Sequence, residues 1–104
     1  MFFQQWSEAI AAKDVDAVMA TFHEDILCVM NEQLLTREDV KQATQQTMTG
    51  ENWIMSDFNV KFEDEHHSVV DCKIVIDGVP YQYRMAVVLK DGLAFRLISY
   101  VEPL

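Results

Sequence analysis

Asp-Gly occurs twice in the second half of the chain, at 77–78 and 91–92, and each pair separates two long apolar runs. Asp-Gly suits the two-residue hairpin turn whose central residues take positive φ, so this spacing predicts consecutive antiparallel strands. Residues 67–76 place Val70, Cys72, Ile74 and Ile76 on one face. Residues 81–90 place Tyr81, Tyr83, Met85, Val87 and Leu89 on one face and Ala86 and Val88 on the other, and 93–101 form the last strand. Ahead of them, 53–63 alternate Ile54, Ser56, Phe58, Val60 and Phe62 against Met55, Asp57, Asn59, Lys61 and Glu63. The later strands are apolar on both faces. One layer of helices covers only one face of a sheet, so the other face is expected to meet a second copy of the chain, giving a homodimer through the sheet.

The first half has helical spacing. Phe2, Phe3, Trp6, Ala9, Ile10 and Lys13 recur every three or four residues. Asp14 suits an N-cap and opens a second stripe of Val15, Val18, Met19 and Phe22, which puts a corner between two helices at Lys13-Asp14. His23-Glu24-Asp25 interrupts the pattern, Ile26–Met30 reads as a short buried strand, and 31–33 as a turn. Thr36 with Asp39 three residues on is an Asp variant of the capping box. It opens a third helix running to about Met48, where Thr49-Gly50 stops it. The expected class is α+β in the order α-α-β-α-β-β-β-β. With 104 residues, 1–104 reads as a single domain with one core.

Eight Lys and Arg against seventeen Asp and Glu give a net charge of -9, the wrong sign for a nucleic-acid binder. No apolar run approaches the roughly 20 residues of a membrane span. The opening MFFQQWSEAIAAKD lacks a basic region and meets Glu8 early, so it does not read as a secretory signal, and a cytoplasmic setting is expected. Cys28 and Cys72 have neither CxxC spacing nor a His at ligand distance, so they are expected as buried reduced thiols, with no metal and no cofactor.

The order of elements resembles the nuclear transport factor 2-like superfamily, which includes ketosteroid isomerases and SnoaL-like polyketide cyclases. The resemblance lies in FFQQWSEAIAAKDVDAVMATFHEDILCVM (2–30), in TREDV (36–40) at the third helix, and in the Asp-Gly, apolar strand and Glu-Pro of 91–103. It implies a cone: a curved antiparallel sheet wrapped around three N-terminal helices, enclosing an apolar cavity open at one end. Relatives carry a longer turn where this chain has 31–35, which implies a more open pocket here.

Ketosteroid isomerase chemistry needs a Tyr donor on the first helix, an Asp base after the first strand and a protonated Asp in an apolar wall. By position these fall on Trp6, at or next to Met30, and near Val87, so all three roles are missing. SnoaL-like cyclases also use a buried acid or an acid with a His. Here His66 and His67 beside Glu63, Asp64 and Glu65 are either an acid–base pair at a rim or a solvated hairpin tip. His23 reads as a helix cap. Asp57 and Asp71 read as dimer-face or solvent residues. The resemblance directs Trp6 inward and puts the Tyr100 side of the last strand on the cavity, where Arg96 and Tyr100 would bind a carboxylate or carbonyl or close the open end as an Arg–Glu pair. The nominated ligand-binding set is Trp6, Phe22, Met30, Trp53 at the mouth, Tyr83, Met85, Arg96 and Tyr100. The leading functional reading is a binding protein for a small apolar molecule. The alternatives are a SnoaL-like isomerase, cyclase or dehydratase working by acid–base chemistry, and a dimerisation or protein-association domain.

Overall fold

A computed structural model describes residues 1–50 and 52–104. Helices α1 (Phe2–Ala11) and α2 (Val15–Ala20) are followed by strands β1 (Phe22–Met30) and β2 (Gln33–Thr36) and by helix α3 (Arg37–Thr49). Four strands then complete the chain: β3 (Trp53–Glu63), β4 (His67–Ile76), β5 (Val79–Lys90) and β6 (Leu93–Pro103). The sheet runs β2-β1-β6-β5-β4-β3 and stays unclosed, with its inner face against the helices. Among the described residues, no helix is long and apolar enough to cross a membrane.

The caps explain where the helices begin. Asp14 accepts from the Ala17 amide at 3.1 Å and opens α2. At α3 the capping box is complete: Thr36 accepts from the Asp39 amide, and Asp39 accepts from the Thr36 amide at 3.0 Å. The Thr36 amide, followed by its hydroxyl, holds the Asp39 carboxyl below the usual carboxylate range. No neighbouring side chain caps α1. Glu63, sixty positions away, takes the Phe3 amide at 3.3 Å and the Ser68 hydroxyl at 2.8 Å, fixing the helix start to the β3–β4 hairpin. The Arg37 guanidinium donates to the carbonyls of Phe22, His23 and Met19 at 3.1–3.4 Å, tying α3 to the α2–β1 junction.

Both Asp-Gly pairs are tight turns with positive φ at each residue, +51° and +80° at 77–78 and +55° and +76° at 91–92. They join the antiparallel pairs β4–β5 and β5–β6. A third turn of the same kind occupies Asn31-Glu32 (φ +46° and +72°) and pairs β1 with β2, where the sequence suggests only a turn. Asn tolerates the left-handed region, which is the signal that marks this hairpin.

Three expectations need correction. The sheet is not wholly antiparallel, because β1 lies parallel to β6. Phe22 and His23 belong to a strand that begins four residues earlier than expected, so His23 caps no helix. Its Nδ1 accepts from the Asp25 amide at 3.0 Å and its ring meets the edge of Phe95. The alternation over 53–63 also breaks. A register shift around Asp57, itself at φ +55°, turns Trp53, Met55 and Phe58 toward the core and leaves Ile54 65% and Phe62 54% exposed. A bulge bends its strand and raises the local twist, consistent with a curved sheet.

Candidate functional site

Between α3, α1 and the inner sheet face lies a cavity of about 390 Å³. Val40, Ala43, Thr44, Thr47 and Met48 face it from α3, three and four residues apart. Tyr83 and Met85 of β5 and Leu97, Ser99 and Val101 of β6 face it from the sheet, on alternating positions. Asn31, Gln33 and Leu35 of the β1–β2 hairpin line it where the hairpin is exposed, which makes that hairpin its rim.

Trp6 anchors the deep end. It is 3% exposed, stacks on Tyr83 at 6.4 Å between ring centroids, and meets the edge of Phe58 at 6.0 Å. Trp53 is not at the mouth: it is buried, its ring forms wall, and the Lys13 ammonium lies 4.6 Å from the ring centroid while donating to the Trp53 carbonyl. The Trp53 indole nitrogen is buried with no hydrogen-bond partner among the described residues. Tyr83 is the one ionisable side chain of the lining among the described residues; burial pushes its phenol well above the usual range, so it stays protonated. Its hydroxyl donates to the Met85 sulfur at 3.8 Å, and the Ser99 hydroxyl stands beside it.

Of the eight nominated residues, the structure brings Trp6, Phe22, Met30, Trp53, Tyr83 and Met85 together around this cavity. Arg96 and Tyr100 are on the opposite face. Strand β6 turns Leu97, Ser99 and Val101 inward and Arg96, Ile98 and Tyr100 outward. A shift in the β5–β6 register near Leu89 and Ala94 sets that parity. The Arg96 guanidinium lies 3.8 Å from the Phe95 ring centroid and donates to the Asp25 carbonyl, so it closes no cavity. The α3 residues escaped the sequence reading because QATQQTMT is mostly polar, although its three- and four-residue spacing was the available signal.

The charged candidates lie elsewhere. Asp64 accepts from the amides of His66 and His67 at 2.8 and 2.7 Å and from the His67 ring, which makes EDEHH a hydrogen-bonded tip on the surface. The His66 amide, as the largest cause, holds the Asp64 carboxyl below its usual range. Asp71 points outward, 3.8 Å from the Lys61 ammonium, and Asp57 is exposed. Among the described residues, no group of three or more His, Cys, Asp or Glu could hold a metal ion. An arrangement of this kind can exclude water, enclose an apolar body and donate a hydrogen bond. Among the described residues it offers a ligand no carboxylate or imidazole as a base.

Comparison with known proteins agrees with the geometry. The family model for the SnoaL-like domain matches residues 1–96. A structure provisionally named as a ketosteroid isomerase, from Kribbella flavida, superposes with a TM-score of 0.84 at 13% identity, covering 99% of this chain and 76% of that one. A nuclear transport factor 2-like protein of unknown function from Burkholderia xenovorans gives 0.78 at 17% identity, covering 99% and 81%. A provisionally named hydroxylase from Streptomyces galilaeus gives 0.77 at 9% identity, covering 97% and 86%. A search of the curated proteins gives no significant match. Structural likeness at such identities speaks for the fold alone, since one fold hosts many activities. The match over residues 1–96, on this element order, means that the chain belongs to the SnoaL-like domain family, with the fold of the nuclear transport factor 2-like proteins.

Proposed function

We propose that this chain, as one domain over 1–104, is a small-molecule binding protein that holds an apolar ligand in the cavity beneath α3. One observation carries the reading. A cavity of about 390 Å³ falls within the ~300–1,000 Å³ usual for ligand sites, and its lining contains no Asp, Glu, His, Lys or Arg among the described residues. That lining weighs against acid–base catalysis, because a general base must come within hydrogen-bond reach of the proton it removes. The test is native purification, solvent extraction and mass spectrometry, with Ala43→Phe as the variant that fills the cavity. Wild-type protein is expected to release a low-mass apolar compound that the variant lacks. Equal extracts from both, or nothing from either together with no uptake of added apolar probes, contradicts the reading.

The partner we propose for the outer sheet face is a second copy of the chain. Residues Leu34, Val29, Ile98, Ala86, Val69 and Phe62 are opposite one another in successive strands and form one apolar row across all six. Beside the row, Arg84 faces Asp71 across β4 and β5, so a two-fold axis can set each against its opposite in the other copy. The five longer strands, about 4.8 Å apart and about ten residues of about 3.3 Å each, give a face of about 800 Å², the usual share of one partner in a stable interface. A cytoplasmic location completes the proposal, supported by two buried unpaired thiols.

A further inference from the structure

The cavity wall is uneven in its polar chemistry. Its apolar residues surround two buried donors, the Tyr83 hydroxyl and the Trp53 indole N–H. Among the described residues, the phenol donates to the Met85 thioether at 3.8 Å, and sulfur is a weak acceptor. The indole N–H has no partner among the described residues. The Ser99 hydroxyl, 3% exposed, stands beside the phenol and marks a polar spot on an otherwise apolar sheet face. Among the described residues no cation lines the wall, so a carboxylate entering it would lose its hydration without gaining a counter-charge. A neutral oxygen acceptor suffers no such loss, and it would give the phenol a better partner than sulfur.

We infer that the cavity is selective for uncharged molecules in which an apolar body carries a hydrogen-bond-accepting oxygen, such as a ketone, ester or quinone, and that Tyr83 Oη is the donor that anchors that oxygen. The inference rests on the binding function proposed above and adds the ligand's chemical class. It assigns no bond-making step to Tyr83, which is a binding residue. Because burial keeps the phenol protonated, the donor is present across the neutral range.

The test compares three probes of similar shape by equilibrium dialysis: 2-acetylnaphthalene, 2-isopropenylnaphthalene and 2-naphthoate. Wild-type protein is expected to retain the ketone and the hydrocarbon and to exclude the carboxylate. Tyr83→Phe keeps the ring stacked on Trp6 and deletes only the donor. Leaving a buried acceptor unpaired is expected to weaken the ketone about tenfold and to leave the hydrocarbon within about twofold. A second readout needs no variant. The carbonyl carbon of labelled 2-acetylnaphthalene is expected to move downfield in the NMR spectrum on binding, as it does when that oxygen accepts a hydrogen bond. Equal losses for ketone and hydrocarbon in Tyr83→Phe, retention of 2-naphthoate as strong as that of the ketone, or no downfield movement each overturn the inference. If neither neutral probe binds wild-type protein, the binding function itself falls.

Discussion

Removing the hydroxyl of Thr36 tests how α3 is held over the cavity. This helix has 13 residues, of which only Val40 and Met48 are buried. A helix of that length is marginal by itself, so its ends and its few apolar contacts decide whether it stays formed. Thr36→Ala deletes the Oγ1 that accepts from the Asp39 amide at 3.4 Å and donates to Asp39 Oδ2 at 2.9 Å. It leaves the return bond from the Thr36 amide to Asp39 in place. An N-cap of this kind contributes about 1 kcal/mol, which for a chain near this size corresponds to a fall of about 5 °C in Tm. Thermal unfolding followed by circular dichroism measures it, with Thr49→Ala as the comparison. Thr49 also makes a local bond, to the Gln45 carbonyl at 2.7 Å, but at the exposed end of the helix, where loss leaves no buried group unpaired. Hydrogen exchange adds a site-specific readout, since the amides of 40–49 should exchange faster in Thr36→Ala than in wild type. An unchanged Tm together with unchanged exchange over α3 would refute the reasoning that the cap holds this helix down.

Other outcomes follow from burial and charge. Burial pushes the Cys28 thiol up to about 11 and the Cys72 thiol up to about 12, with Asp71 adding to the shift at Cys72. Both should therefore ignore Ellman's reagent at pH 8 and react only after unfolding in urea; fast stoichiometric reaction of the folded protein would contradict that placement. The same shifts set a sign for pH. The unfolded chain ionises its thiols near ~8.5 while the folded one stays neutral, so stability is full below that pH and falls as pH rises toward 11 and 12. Ile98→Lys places a charge in the middle of the outer apolar row, at a side chain 53% exposed in the single chain. Sedimentation should show a dimer in wild type and a monomer of similar Tm in the variant, and a wild-type monomer at micromolar concentration would remove the dimer.

The elements that could be read from sequence are those where local chemistry and burial agree. Two Asp-Gly turns and period-two apolar runs give β4, β5 and β6, and the Thr36/Asp39 pair gives the start of α3, because each signal is local and the fold respects it. What was not legible depends on partners far along the chain. The β1–β6 pairing joins residues about 70 positions apart, and no local pattern specifies that it is parallel. The parity of β3 is set at Asp57 and that of β6 near Ala94, where register shifts override simple alternation. Arg96 and Tyr100 illustrate the consequence: with both faces of β6 apolar, the face that took the cavity was decided by that shift. Trp6 and Tyr83 were legible because a buried helix stripe and a buried strand stripe point the same way from either end.

The chain contains two tryptophans, Trp6 and Trp53, and both line the cavity, so its intrinsic fluorescence reports on what enters. Titration with the neutral quinone 2-methyl-1,4-naphthoquinone, in wild type and in Ala43→Phe, therefore tests the central claim most directly. An apolar cavity that admits a neutral ligand predicts saturable quenching at one quinone per chain in wild type and its loss in the filled variant. Quenching that rises linearly without saturation, and equally in both proteins, would mean that the quinone only collides with the surface and that the cavity takes no such ligand.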